Sequence, residues 1–375
     1  MAVGATEPAR GSLPTTIDPN DARAAIEYCY EQGMTDGLPV IPATESYVAE
    51  FLACTDRDPD QVIGEMPHLN RNCTVRTVAI NAALAGCRPD YFPVVLAAWE
   101  ALRRDGAVVR GLAQSTTGTV PFFIVNGPVR ERLGFNSKGN VFGPGFRANA
   151  TVGRAIRLLL MNAFGLQPQV LDQSTQATPA KYTFCIAENE EDSPFEPLHV
   201  EFGFRPEQST VTGIMSRSCL HMENRHGLRP EHLLYDLADT ITRTGVLWSR
   251  TTSACVVLGP EHARLLASHG LSKADIRADL AARATRSQRE LDQAGKGALS
   301  NVTRWRVPRD HPDAAADADL PAPDPEAQIP VVPAPEAILV VVAGAANAGV
   351  SSVVELMWGF RPGGGGGRPS IVEIA

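Results

Sequence analysis

Three side chains in this sequence could carry acid, base or nucleophilic chemistry: Cys87, Glu190 and His199. Cys87 lies in AGCRPDY, between two predicted helices and directly before Arg88. A thiol beside a cation and a helix terminus can have a lowered pKa and act as a nucleophile, although most free cysteines are small buried hydrophobes. Glu190 and His199 lie in CIAENEEDSPFEPLHVE, which could supply proton-transfer groups or be a solvated acidic loop. We predict these three residues as the catalytic groups.

A glycine-rich loop that leads into a helix is the predicted substrate-binding element. It occupies residues 136–165, with the sequence NSKGNVFGPGFRANATVGRAIRLLLMNAFG. Gly143 and Gly145 allow a positive φ or a close backbone approach, and a helix start favours an anion. Arg147, Arg154 and Arg157 add positive charge near that start. The alternative is a tight loop before a buried helix, with the arginines paired to the protein's own acids.

Polar residues near the ends of predicted strands complete the predicted binding site. Asn149 flanks the glycine loop, Asn126 ends the strand predicted in PFFIVN, and Ser115 and Thr116 lie in the turn QSTTG. Polar side chains at strand ends often meet a ligand. The expected ligand is a small molecule that carries a carboxylate or phosphate. No spacing typical of metal ligands and no cofactor motif is found, so no metal is predicted and the cofactor is unknown.

Composition excludes several classes of protein. The chain has 375 residues, 44% of them hydrophobic and 20% charged, with a formal net charge of −8. A net acidic chain argues against nucleic acid as a partner. No apolar run is long enough for a membrane span, and the N-terminus lacks the apolar core of a signal peptide. Seven scattered cysteines without a CxxC pair indicate reduced thiols. A cytoplasmic protein is predicted, and a homo-oligomer is compatible with the sequence.

Helix and strand patterns alternate along the chain, which predicts an α/β fold. Two parts of the sequence are similar to each other. Thr74-Val75 matches Thr210-Val211, and the predicted strand end FFIVNGP matches CVVLGP. We predict two similar α/β halves, an internal duplication related by a pseudo-twofold axis, with a ligand site where they meet. The alternative is that α/β units look alike because they share the same physics.

The organisation along the chain is predicted as follows. A strand is expected over residues 181–187, another over 199–204 and a third over 337–343, and a short helix over 353–357. The predicted segments are a disordered N-terminus over 1–20, a first α/β half over 21–208, a second half over 209–300, a linker rich in Pro, Ala and Asp over 301–335, and a strand-rich C-terminal extension with a glycine segment and flexible tail over 336–375.

Several stretches resemble a known family. They are DGLPVIPAT, AINAALAGCRPDYFPVVLAA, FIVNGP, GPGFRANATVGRAIRLLL, KYTFCIAENEEDSPFEPLHVE and VVLGPEHARLL, which span roughly residues 30–290. They are similar to a large uncharacterised bacterial family associated with UGSC-motif (seleno)proteins, in which a small domain carries a selenocysteine or cysteine redox motif. The resemblance implies a soluble bacterial protein and an enzyme, without an established reaction. The Cys-Gly-Ser-Cys sequence is absent from this chain.

The functional prediction is an enzyme that acts on a small anionic metabolite in specialised metabolism. Lyase, hydratase or transferase chemistry on an organic acid needs only a group that binds the acid and groups that move protons. Two alternatives belong to other classes. One is a cysteine-dependent thiol-redox enzyme with a reactive Cys87, and the other is a non-catalytic binding or assembly subunit.

Overall fold

The fold is a mixed α/β arrangement around one large sheet. The computed structural model describes residues 22–104, 116–243, 253–296, 324–357 and 369–375. Ser115 and the N-terminal segment 1–20 lie outside the described residues, as do residues 301–323 of the predicted linker and residues 358–368 of the predicted tail. The predicted α/β class is confirmed.

Helices and strands alternate along most of the chain. The helices are α1 (Ala22–Glu31), α2 (Glu45–Leu52), α3 (Val75–Ala85), α4 (Phe92–Arg104), α5 (Val129–Leu133), α6 (Arg147–Asn162), α7 (Leu198–Glu201), α8 (Pro230–Arg243), α9 (Pro260–Ser268), α10 (Lys273–Arg283) and α11 (Gln288–Gln293). The strands are β1 (Val62–Met66), β2 (Arg71–Thr74), β3 (Val120–Asn126), β4 (Cys185–Ala187), β5 (Thr210–Glu223), β6 (Ser253–Leu258), β7 (Thr285–Ser287), β8 (Gln328–Pro330), β9 (Ile338–Val342), β10 (Val350–Leu356) and β11 (Ser370–Glu373).

The large sheet has seven strands, six of which follow the order β4-β3-β5-β10-β6-β9, while β11 pairs with the start of β5. The pairs β3–β4 and β6–β9 are parallel, and the other pairs are antiparallel. The central pair is β5–β10. The predicted C-terminal extension with a flexible tail is therefore corrected. Strands β9 and β10 belong to the main sheet, with β10 between β5 and β6, and β11, which lies in the predicted tail, is paired with β5.

The sheet curls until its two edges meet. Strands β4 and β9 lie at opposite ends of the strand order, yet the amide of Asn189, just after β4, donates to the carbonyl of Val342 in β9 at 2.7 Å. The Asn189 side chain also donates to the Gly344 carbonyl at 3.2 Å. Ile186 from one edge strand and Val341 from the other share one buried cluster. This cluster is the interior core, and the face of the sheet that it covers is the interior face.

Helices cover the outer face of the sheet in two groups. Helices α3, α4 and α6 pack with the outer side chains of β3 and β5, such as Phe123 and Val211. Helices α8 and α10 pack with the outer side chains of β6 and β9, such as Val256 and Val340. The alternation follows from the period of two in a strand, which sends successive side chains to opposite faces. Among the described helices, none has both the length and the apolar character needed to cross a bilayer.

Three local predictions were wrong. The strand predicted over 199–204 is instead the short helix α7, which begins after Pro197. The helix predicted over 353–357 belongs to β10, which pairs on both sides with β5 and β6. Thr74 caps helix α3 whereas Thr210 begins strand β5, so these two positions do not correspond in structure. Short apolar runs fit both a strand and a buried helix, and only the pairing partners decide between them.

Two glycines with similar backbone angles give a test of the packing beside β3. Gly127 has φ +82°, and a Cβ atom there would lie 2.2 Å from the Gln208 carbonyl oxygen. Gly134 has φ +73°, and a Cβ atom there would meet nothing within 4 Å. We expect Gly134→Ala to destabilise by about 1–2 kcal/mol through its left-handed backbone alone. Gly127→Ala should cost about 1–3 kcal/mol more through overpacking. Urea unfolding measures both variants, and equal losses would contradict the close approach.

Candidate functional site

Polar side chains occupy the interior face where β3 ends and β5 begins. Asn126 pairs with Thr210, and Ile124 pairs with Thr212, so all four side chains point to the interior face. Glu188 follows β4, and its amide continues the parallel ladder by donating to the Val125 carbonyl at 3.1 Å. The Asn126 side-chain amide donates to a Glu188 carboxylate oxygen at 2.6 Å. The interior face therefore has a polar region at this end of β3 and β5.

Helix α7 adds a histidine to this region. The amide of Leu198, the first residue of α7, donates to Glu188 at 2.8 Å, and His199 is the next residue. We call Asn126, Glu188, His199, Thr210 and Thr212 the interior patch. All five residues have no exposed surface.

The interior patch contains polar atoms that lack hydrogen-bond partners. Eight buried side-chain atoms have no partner in the described part of the chain, and six of them belong to the patch. They are Asn126 Oδ1, Glu188 Oε1, Thr210 Oγ1, Thr212 Oγ1 and both ring nitrogens of His199. Nearly all buried polar groups in native proteins are hydrogen-bonded, so six such atoms in one region indicate a place for a ligand or ordered water.

A buried lysine lies beside the patch at the start of α10. The ammonium nitrogen of Lys273 is 3.8 Å from Glu188 Oε1 and 3.4 Å from Glu201 Oε2. Charge-assisted hydrogen bonds are typically about 2.7–2.9 Å long, so both contacts are loose. Glu201 also pairs with Arg277. Lys273 can therefore still donate to an incoming acceptor.

Predicted residue Glu190 lies next to the patch but is held by the protein. Its carboxylate accepts from the Gly127 amide at 2.8 Å and from Asn126 at 3.0 Å, and it pairs with Arg130 at 2.9 Å. Burial alone would lower the pKa of Arg130, but the hydrogen bond to Glu191 and the charges of Glu190 and Glu191 outweigh it and raise the pKa. The guanidinium therefore stays charged and fixes the acidic turn.

The predicted arginines of the glycine loop are differently engaged. Arg154 donates to both carboxylate oxygens of Asp36 at 2.8 Å, and Arg157 pairs with Asp172 at 2.9 Å. Arg147 is exposed and donates to the Gly86 carbonyl at 2.8 Å. Within the described residues, no carboxylate forms an ion pair with Arg147. For Arg154 and Arg157, the structure matches the alternative of internal pairing.

The glycine loop itself covers one end of the interior. Gly145, near its tip, is exposed, and Gly143 is half-buried. Asn149 fixes the base of the loop, because its side chain accepts from the Asn136 amide at 2.8 Å and donates to the Asn136 carbonyl at 2.9 Å. Val141 belongs to the interior core. Asn149 is thus bonded within the protein.

Cys87 lies on the outer side of the sheet, away from the interior core. It is fully buried among the outer helices, and burial raises the pKa of its thiol to about 12. This direction is the opposite of the lowered pKa expected from the sequence. The neighbouring cations Arg147 and Arg154 lower the pKa, but by less than burial raises it. Such a thiol stays protonated near neutral pH and is a poor nucleophile.

The structure brings together only some of the predicted residues. Asn126, Glu190 and His199 share one region, whereas Cys87 and Arg147 meet on the outer side, where Arg147 donates to the Cys87 carbonyl at 3.4 Å. The sequence prediction missed four residues of the site. They are Glu188, Thr210, Thr212 and Lys273.

Each missed residue had a weak sequence signal. Glu188 directly follows an apolar strand, and Asn126 is the last residue of another. A polar residue at the end of an apolar strand is the signal that could have identified Glu188. Thr210 and Thr212 alternate with apolar residues at a strand start, which is also typical of a solvated face. Lys273 follows Ser272, the cap of α10, but nothing local shows that it is buried. Predicted residue Thr116 is exposed, and its carbonyl accepts from the Thr175 amide at 3.0 Å.

The chain matches no known family model and no curated protein. The resemblance to the bacterial family associated with UGSC-motif proteins therefore stays a prediction. Within residues 22–104, 116–243, 253–296, 324–357 and 369–375, no three His, Cys, Asp or Glu side chains are grouped to hold a metal ion.

The Asp172 ion cluster predicts a pH dependence of stability. Burial raises the pKa of Asp172, but hydrogen bonds from Lys181 and Ser174 and the charges of Lys181 and Arg157 outweigh it and lower the pKa to about 2. A carboxyl with a pKa of about 3.9 when unfolded then contributes stability above that pH, and the contribution is lost as pH falls towards 2.

We therefore expect Asp172→Asn to lose about 2 kcal/mol of unfolding free energy near neutral pH. The difference from wild type should shrink as the pH falls from about 4 to about 2. Urea unfolding across this range measures it. Asp60→Asn is the matched control, because Asp60 pairs with Arg76 at the surface with 81% of its side chain exposed. A pH-independent loss in Asp172→Asn would rule out the linkage.

Thiol labelling tests the buried state of Cys87. The half-buried thiols are Cys54 and Cys219, and burial raises the pKa of both, that of Cys219 to about 11. We expect iodoacetamide to modify Cys54 first in the native protein and Cys87 among the last, as followed by peptide mass spectrometry. Labelling in urea is the control, where all seven should react alike. Faster modification of Cys87 than of Cys54 would contradict the burial argument.

Proposed function

We propose that this chain is an enzyme that acts on a small organic acid in bacterial metabolism, with its site at the interior patch. The observation that carries the proposal is the set of buried polar atoms in the patch, beside a loosely held lysine. His199 and Glu188 are the proposed proton-transfer groups, and Lys273 is the proposed partner of the substrate's acid group. The bacterial and cytoplasmic setting rests on the sequence resemblance and composition.

The chemistry of these groups supports lyase or hydratase activity best. Such reactions move a proton next to a carboxylate and stabilise the charge that develops, which a positioned imidazole and a buried ammonium can do. Charge interactions are stronger in a site that excludes water. Transferase chemistry would use the same groups.

The interior patch is a better candidate than the outer face of the glycine loop. Arg154 is already bound by Asp36 and Arg157 by Asp172, so most of the expected positive charge is neutralised. Arg147 remains as the one cation of the three without a carboxylate partner among the described residues. The loop's role in this proposal is to cover the interior. The thiol-redox alternative loses support because the Cys87 pKa is raised.

We further propose that the sheet arose by internal duplication. In the first half, β3 pairs in parallel with β4 and antiparallel with β5. In the second, β6 pairs in parallel with β9 and antiparallel with β10, in the same chain order. Helix α4 precedes β3 as α8 precedes β6. In this proposal β5 is the third strand of the first copy and β10 is the third strand of the second copy. A pseudo-twofold axis passes between β5 and β10.

The test compares one buried cation, Lys273, with two exposed cations in the full chain. Lys273→Met keeps the length and apolar volume of the side chain but removes the ammonium group. We expect at least about tenfold weaker binding of small organic acids, or about 1.4 kcal/mol. Arg147→Ala and Lys138→Met, which change exposed cations, should bind as wild type does. Calorimetric titration with succinate, malate, pyruvate and inorganic phosphate measures the affinities, and the melting temperature checks folding.

A second variant separates binding from catalysis. His199→Gln should still bind the acid but lose about 10²-fold or more in turnover. If Arg147→Ala loses binding and Lys273→Met binds as wild type does, the binding site is at the glycine loop and not at the interior patch. If wild type binds none of these acids, a non-catalytic subunit becomes the better description.

A further inference from the structure

We infer that the substrate of the interior patch is a hydroxy acid, with one or more hydroxyl groups in addition to its acid group. This inference rests on the proposed function and adds the substrate class. Three features of the patch support it: the type of its polar atoms, their capacity to donate as well as accept, and their spacing along β5.

The patch offers acceptors that need a donor from the ligand. Glu188 Oε1 can only accept while the carboxylate is ionised. The Asn126 nitrogen is committed to Glu188 at 2.6 Å and to Glu190 at 3.0 Å, which fixes the orientation of the amide and leaves its oxygen to accept. Neither oxygen has a hydrogen-bond donor in the described portion of the chain. A plain dicarboxylate carries only acceptors, so it would leave both oxygens unsatisfied.

The donor on the ligand is a neutral one. Glu188 Oε1 and Asn126 Oδ1 can only accept, whereas the hydroxyl groups of Thr210 and Thr212 can also donate, and none of these atoms has a partner among the described residues. An ammonium group only donates, so it would leave the threonine hydroxyl hydrogens without an acceptor. A hydroxyl group on the substrate both donates and accepts, so it matches this mixture of atoms.

The threonines extend the acceptor surface along the strand. Thr210 and Thr212 both point to the interior. They lie two positions apart in the sequence, which is about 7 Å along β5. Their hydroxyl groups can donate or accept, and neither has a partner among the residues that the structure describes. A span of this length fits a chain of about three or four carbons, so short hydroxy acids are the expected class.

Valine would fit the fold better than threonine at these two positions. It has the same branched shape, is favoured in strands and leaves no buried hydroxyl without a partner. A buried hydroxyl that lacks a hydrogen bond destabilises the fold. Two such hydroxyl groups on the same sheet face as Asn126 are what a site for hydroxyl recognition requires, because such a site rejects analogues that lack the hydroxyl.

The experiment uses matched acids and an isosteric variant of the full chain. Malate with succinate, and glycerate with propionate, differ mainly in their hydroxyl groups. We expect wild type to bind each hydroxy acid at least about tenfold more tightly than its partner. Thr212→Val should lose most of this preference but keep its affinity for succinate and propionate. Thr240→Val is the control, because the Thr240 hydroxyl donates within its own helix to the Asp236 carbonyl at 2.8 Å.

The outcomes separate the inference from the proposed function. Equal wild-type affinities within both pairs would overturn the hydroxy-acid inference while leaving an organic-acid enzyme in place. Failure to bind any of the four acids would overturn both. A preference that survives Thr212→Val would overturn the assignment to this patch. The Thr212→Val melting temperature should equal or exceed that of wild type, and a clear drop would show that the hydroxyl serves the fold instead.

Discussion

The structure depends on the contact between its two edge strands. The hydrogen bond from the Asn189 amide to the Val342 carbonyl joins segments from opposite ends of the strand order. An open sheet of this size would present two edges and one uncovered face to solvent. Closing the curl satisfies edge groups and converts that face into an interior. Only in such an interior do Glu188 and His199 become fully buried and gain the strong electrostatics of a dry environment.

The two proposed halves differ where it matters for chemistry. In β3, the interior-facing position after Ile124 is occupied by Asn126. At the corresponding end of β6, the position after Val257 is occupied by Gly259. At the matching position after the parallel partner strands, the first half has Glu188 and the second has Ala343. The second half therefore contributes mainly apolar side chains, together with Lys273 beside Glu188 and Arg277 beside Glu201. A duplicated scaffold in which one copy keeps the polar strand ends would produce this asymmetry, and it places the site where the halves meet.

The sequence predicted the class of fold and named two residues of the interior patch, Asn126 and His199, but it did not predict how the segments are arranged. The α/β class and the strand over β3 follow from local patterns, which hydrophobic periodicity reveals. Pairings between distant segments do not leave a local signal. For that reason the Arg154–Asp36 pair, the burial of Lys273 beside Glu188 and the central position of β10 could not be predicted. Cys87 was misjudged because a nearby cation is visible in the sequence and burial is not.

The distribution of buried polar atoms without hydrogen-bond partners favours the interior patch as the proposed site. Elsewhere in the described chain, buried charges such as Asp172 and Glu355 have close partners. Of the eight buried side-chain atoms without a partner among the described residues, two lie outside the patch, Asn162 Oδ1 and Ser370 Oγ. Around Glu188 the same fold leaves oxygens and an imidazole without hydrogen-bond partners among the described residues, in a core of Phe, Ile, Leu and Val that could have remained apolar. Local departures from otherwise consistent packing are expected at functional sites. The departure here is concentrated on one face of three adjacent strands, as recognition of one small ligand would require.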